Sequence, residues 1–274
     1  MINEVLQEEA YARPARRSPD QFQFIRFRVD GAVARITLNR PEHNLLNESM
    51  LRELADGISS VAETASVKLI VLDASGRIFS GGVDIGEYTS ERAFSMLDAF
   101  HAACIAMVEA AQPVLVVVDG AAIGGGAELI AYGDMVVATP RAYFALPEIT
   151  IGVFPPLAST MFPHIIGPKR ALELVLTGEA ITAERAHSLG LVNRLVPEAE
   201  LQTAVNELIA KITAQSGAVL GMAKKAIIAG MGLSLAEALR NSMSIFLNEL
   251  YRLEDSQEGL RALLEKRKPE WKNR

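Results

Sequence analysis

PVLVVVDGAAIGGGAELIAYGD, residues 113–134, is the stretch whose pattern sets the fold class. Val114 to Val118 are apolar without a break, between Pro113 and Asp119-Gly120. A run that short suits a strand, and one without polar alternation suits a strand buried on both faces. Gly124, Gly125 and Gly126 then lead into a short helix. The same grammar occurs upstream, where the apolar run KLIVLDA (68–74) enters the glycine-rich loop SGRIFSGGVDIG (75–86).

Working outward, FQFIRFRVD (22–30) and AVARITLNRP (32–41) alternate apolar and polar residues around Gly31, the pattern of a β-hairpin. Asn47 is a good N-cap for an amphipathic run to about Thr64, and residues 90–111 are helical by spacing. MVVAT (135–139) and AYFALPE (142–148) read as strands, followed by a proline-broken loop, ITIGVFPPLAS (149–159). Strand, loop and helix recur at roughly 45–50 residues, which suggests stacked ββα units. LVNRLVP (191–197) is a last strand, after which 198–215, 217–229, 233–252 and 255–267 are helical. The expected division is a mobile N-terminal arm (1–20), an α/β core holding the active site (21–181) and a helical region (182–274). That last region would cover the core and meet another subunit.

The composition narrows the function. A net charge of −6, from 27 basic and 33 acidic residues, argues against a broad nucleic-acid surface. Cys104 is the only cysteine, so neither an intrachain disulfide nor a thiolate metal cluster can form. It lies in the apolar stretch FHAACIAMVEAA and reads as a buried small hydrophobe. No apolar run reaches the ~18 residues of a membrane span, and the N-terminus lacks a secretory pattern. A cytoplasmic protein is expected. GxSxG, GxxxxGK[ST] and HExxH are absent, and GAAIGGG lacks the spacing of a dinucleotide fingerprint. His43, His101, His164 and His187 are scattered, so no metal site is expected.

Two glycine clusters and two carboxylates remain. Consecutive glycines after a buried strand expose backbone N–H groups, and amides at a helix start favour a negative oxygen. Such glycines equally serve tight turns or close packing. Glu128, three residues after Gly125, lies on that amide's helical face. Glu148, in the apolar stretch ALPEITIG, is a candidate for a raised pKa. Each acid read alone is also compatible with a structural or surface role.

Read together, the segments resemble the crotonase, or enoyl-CoA hydratase/isomerase, family from about Phe22 to Lys268. The matching pieces are ITLNRP (36–41), FSGGVDIGE (79–87), GAAIGGGAEL (120–129), LPEITIGVFP (146–155), LTGEAITAERAHSLGLVNRLVP (176–197) and EGLRALLEKRKP (258–269). The resemblance implies a ββα spiral core with a C-terminal helical region, assembled as a homotrimer or homohexamer. It also implies an acyl-CoA substrate, with no cofactor beyond the coenzyme A that the substrate carries. The thioester enolate would be held by the backbone N–H groups of Val83 and Gly125. Glu128 would activate water at Cβ and Glu148 would protonate Cα, with shared or reversed roles as the alternative. CoA would be bound by Arg40, Gly81, Asp84, Lys266 and Lys268.

The chain departs from simple hydratases after the second acid. Pro155-Pro156-Leu157-Ala158-Ser159 stands where P-G-A-G-G is usual, and Gly86 stands where many relatives have lysine. Pro156 would remove an N–H and fix φ at the start of the following helix, Phe154 and Leu157 would add apolar bulk near the acyl chain, and together the three would reshape the acyl pocket. That wall is similar to hydratases acting on cyclic dienoyl-CoA thioesters, so a hydro-lyase for such a substrate is the leading expectation. The alternatives are a straight-chain enoyl-CoA hydratase, an isomerase or hydrolase on the same scaffold, and a non-catalytic acyl-CoA- or RNA-binding relative.

Overall fold

The computed structural model describes residues 17–62, 64, 66–87 and 91–274. Most of the expected N-terminal arm therefore lies outside the described residues, as does Ser90 at the start of the expected second helix.

The hairpin forms as read. β1 (Ile25–Asp30) pairs antiparallel with β2 (Val33–Leu38), from Ile25 opposite Leu38 to Asp30 opposite Val33, around Gly31 at φ +55°. α1 (Glu48–Val61) follows, capped by the Asn47 side chain, which accepts from Met50 N–H at 3.0 Å. Its apolar stripe of Met50, Leu51, Leu54, Ile58 and Val61 is buried in the main core, as an amphipathic helix requires. β3 (Leu69–Ala74), α2 (Ala93–Glu109) and β4 (Val114–Val118) come next, and the five residues of β4 are all buried. The short β5 (Ala121–Ile123) leads into α3 (Gly125–Ile130).

β6 (Met135–Ala138), β7 (Tyr143–Ala145), α4 (Pro156–Ile166), α5 (Pro168–Thr177), β8 (Ile181–Thr182), α6 (Ala183–Leu189) and β9 (Arg194–Leu195) complete the core. The larger sheet has the order β1-β2-β3-β4-β6-β9, parallel from β2 onward. The smaller sheet has the order β5-β7-β8. An isolated bridge from Ser80 to Ala122 joins the two glycine loops, and one from Leu46 to Val83 ties the first of them to the segment ahead of α1. This is the α/β spiral core followed by helices that the sequence led one to expect.

Some details differ from the sequence reading or add to it. The segment taken as a loop after β7 is a 3-10 turn, Pro147–Ile151, followed by α4. Pro156 opens that helix, at a position where a missing N–H costs nothing and φ is already helical. The helix expected over 233–252 is divided into α9 (Leu235–Asn248) and a 3-10 turn, Leu250–Arg252. A fully buried carboxylate, Glu53 on α1, receives the backbone N–H groups of Gln23 and Phe24 and the Arg17 guanidinium at 3.1 Å. It anchors the chain ahead of β1.

α7 (Leu201–Thr213), α8 (Gly217–Ile228), α9 and α10 (Glu254–Leu264) form the C-terminal region. α8 is pinned to the core by Lys224, only 8% exposed, whose Nζ lies 2.7 Å from the Asp134 carboxylate and donates to Met107 O. Among the described residues, no helix is long and apolar enough to cross a membrane.

Candidate active site

The two glycine loops meet main chain to main chain. A Cβ on Gly82 (φ +98°) would come within 2.9 Å of Ile123 O, and one on Gly126 within 2.8 Å of the Ser80 Cβ. Gly124 turns the chain from β5 into α3 at φ +51°, which favours glycine, while its N–H donates to Ala145 O at 2.8 Å. A Cβ on Gly125 would lie 2.8 Å from Val83 Cγ2. The amides of Val83 and Gly125 are therefore neighbours. Both lack a hydrogen-bond partner among the described residues, whereas Leu46 N–H and Asp84 N–H on either side are spent on Gly82 O and Leu46 O. Gly125 is the first residue of α3, so its N–H has no acceptor within the helix.

The upstream loop is held by buried polar groups. Asn44, in the left-handed region at φ +46°, donates to Ser75 O and Ile78 O and accepts from Arg40 N–H. Ser80 Oγ donates to Asn44 O and accepts from Gly82 N–H. Neither residue was singled out in the sequence. The one available signal was an asparagine two residues after Glu42 in LNRPEHN, since asparagine tolerates positive φ.

Glu128 projects from the first turn of α3 and is 3% exposed. Its Oε1 accepts the N–H groups of Leu157 at 2.8 Å and Ala158 at 2.9 Å. These are unpaired amides in the first turn of α4, so the acid caps a helix other than its own. Burial pushes its pKa up to about 7; the two amides pull down and the Glu148 charge pushes up further. Glu148 sits in the 3-10 turn, with its pKa also raised by burial. Its Oε2 is buried without a hydrogen-bond partner, and its Oε1 lies 2.6 Å from where a Gly124 Cβ would stand. Such an oxygen is costly to leave unpaired and marks a place where a ligand or water would be welcome. Burial thus holds both carboxyl groups above the ordinary carboxylate range, so each is harder to ionise here than in water.

The remaining candidates are distributed unevenly. Leu157 packs partly buried against the main core while its amide serves Glu128, and Pro156 is half-buried. Phe154 is 60% exposed, so within the single chain its ring does not wall the site. Arg40 is paired with Asp84 at 2.7 Å and donates to Leu45 O at 2.9 Å. The Gly81 amide donates to His43 O. All three hold the loop, a role the sequence did not suggest for them. Lys266 and Lys268 are exposed beyond the end of α10. Among the described residues, no cluster of His, Cys, Asp and Glu is arranged to hold a metal.

Residues 28–274 match the model of the enoyl-CoA hydratase/isomerase family. The chain is 32% identical over 247 residues to the cyclohexa-1,5-dienecarbonyl-CoA hydratase of Thauera aromatica, covering 89% of this chain and 95% of the relative. It is 36% identical over 253 residues to a probable enoyl-CoA hydratase of Rhizobium meliloti, covering 90% and 96%. A crystal structure of an enoyl-CoA hydratase from Mycobacterium smegmatis superimposes with a TM-score of 0.86 at 31% identity, covering 91% of this chain and 99% of the other.

Proposed function

The chain belongs to the enoyl-CoA hydratase/isomerase family, and from that premise we propose that it hydrates a cyclic dienoyl-CoA thioester of the cyclohexa-1,5-diene-1-carbonyl-CoA type. The observation that carries this reading is the pair of acids Glu128 and Glu148, both raised by burial, beside two unspent amides. The thioester carbonyl oxygen would accept from Val83 N–H and Gly125 N–H. Glu128 takes a proton from water, the resulting hydroxide bonds to Cβ, and the alkene electron pair moves to form the enolate. Glu148 then gives its proton to Cα, the enolate collapses to the thioester, and the pair resets by exchange with solvent.

The roles follow from the surroundings of each acid. Two amides on Glu128 Oε1 favour its charged form and leave Oε2 to meet water. Glu148 Oε2 has no donor to stabilise a charge, which suits a proton donor. An amide donor to a developing oxyanion is worth about 3–4 kcal/mol where one has been removed in other enzymes. Proton transfer by positioned acids contributes on the order of 10²–10⁴ in rate. The reaction needs no cofactor beyond the coenzyme A of the substrate.

The cyclic substrate is supported by the GVFPP segment after Glu148 and by the similarity to the Thauera aromatica hydratase. Lys266 and Lys268 would approach the CoA phosphates in the assembled enzyme. The assembly would be a homotrimer or homohexamer, for which the exposed Leu239, Met243, Phe246, Leu247, Leu263 and Leu264 supply apolar surface. Initial rates with cyclohexa-1,5-diene-1-carbonyl-CoA and crotonyl-CoA test the substrate class. The cyclic dienoyl ester is expected to give the higher kcat/KM; a preference for crotonyl-CoA would replace this reading with a straight-chain hydratase.

A further inference from the structure

Glu128 owes its place to a peptide, and that peptide has a second holder. The amide donating to Glu128 Oε1 from Ala158 belongs to the peptide unit whose carbonyl is Leu157 O. The Tyr132 hydroxyl donates to that same carbonyl at 3.1 Å. Tyr132 stands four residues after Glu128, just beyond the end of α3, and packs half-buried against the main core. The Leu157–Ala158 peptide is thus gripped at both poles, by the acid on its nitrogen side and by a phenol on its oxygen side. A donor on a peptide oxygen polarises the unit and strengthens its N–H as a donor.

We propose that Tyr132 is a positioning residue for Glu128, acting through the Leu157–Ala158 peptide to fix the carboxylate and keep it ionisable at neutral pH. This rests on the reading of Glu128 as the base that activates water. The groups facing Glu128 are Glu148 from the 3-10 turn, Cys104 from α2 and Tyr132 itself. Burial raises both the Cys104 thiol and the Tyr132 phenol, so both stay protonated over the working range. Glu148 is then the one neighbour that titrates with it. Tyr132 does not touch the reacting atoms in this arrangement; its influence passes along one chain of hydrogen bonds.

The sign of the effect follows. Removing the hydroxyl weakens the Ala158 donor, which favours the charged carboxylate, so Glu128 should become harder to ionise. In Tyr132→Phe the acidic limb of kcat should move to higher pH, with kcat at pH 6.5 down roughly threefold to tenfold and KM nearly unchanged. The loss should shrink as pH rises. Titration of 13C-labelled glutamate side chains by NMR, with Glu128 assigned from Glu128→Gln, reads the same shift without substrate. In a double-mutant cycle, Tyr132→Phe added to Glu128→Gln should lower turnover no further.

An unmoved Glu128 titration, or an equal fold loss in the Glu128→Gln background, would overturn the proposal. Should Tyr132→Phe misfold, 3-fluorotyrosine introduced in place of Tyr132 keeps the ring and makes a stronger donor. It should shift the Glu128 titration downward, and an upward or absent shift counts against the proposal. If Glu128→Gln itself turns over normally, the hydratase reading fails, while the NMR titration still decides the role of Tyr132.

Discussion

At the scale of single residues, the acid that defines the site also works against the fold. Glu128 is held near 7 in the folded chain, against an ordinary value of 4.5 when exposed. The folded state therefore binds its proton more tightly than the unfolded one. The stability this provides is complete below about pH 4.5 and is lost as pH rises through about 7, a swing of roughly 3 kcal/mol. Glu128→Gln keeps an oxygen for the Leu157 and Ala158 amides and removes the charge. Thermal unfolding at pH 8 should show the variant more stable than the wild type, with the gain gone at pH 4. A constant difference across pH would mean that Glu128 is not desolvated as described. Gly125 makes a second residue-scale case, since an added Cβ would sit 2.8 Å from Val83 Cγ2 and 3.0 Å from the Phe100 ring. Its backbone is helical, so Gly125→Ala should fold, as far-UV circular dichroism can check. The displaced Val83 amide should lower kcat by on the order of 10², within the range for losing an oxyanion donor.

At the scale of elements, the pieces that were legible are those with strong local signals. The alternation around Gly31, the Asn47 cap and the unbroken apolar run of β4 each correspond to an observed element. Glu128 was marked by its place after the glycines and Glu148 by its apolar surroundings, while their paired role came from the family resemblance. What holds Glu128 was hidden, because Leu157 and Ala158 lie 29 and 30 residues away and their amides leave no trace in side-chain chemistry. ITIGVFPPLAS was read as loop because prolines dominate it. Pro156 was nonetheless read at the start of the helix that follows, and it is the first residue of α4; what was not legible is that this placement puts unpaired helix amides where the acid needs them. Glu53 makes the contrasting case. It is a buried carboxylate whose oxygens are taken up by backbone donors and the Arg17 guanidinium ahead of β1. Burial of an acid becomes a functional signal only when an oxygen is left over, as on Glu148.

At the scale of the whole molecule, the C-terminal helices are joined to the core by a buried ion pair. Lys224 on α8 meets Asp134, which also accepts from Val114 N–H at 2.6 Å at the start of β4. Burial lowers the lysine and raises the aspartate, while each charge offsets the other. Lys224→Met would leave Asp134 facing an apolar neighbour, at a cost of about 3 kcal/mol in urea unfolding. Adding Asp134→Asn should recover part of that loss; no recovery would assign the cost to packing instead. The helices beyond α6 were recognisable by periodicity, but this tether was not, because Lys224 lies 90 positions from its partner and sits in a stretch that reads as an ordinary amphipathic face.

The most direct test of the central claim is single-turnover hydration in water labelled with 18O, using cyclohexa-1,5-diene-1-carbonyl-CoA. The wild type should place the label on the ring carbon β to the thioester, while Glu128→Gln and Glu148→Gln should each slow that step by 10² or more. Labelled free acid with released coenzyme A, or undiminished labelling in both variants, would contradict the account.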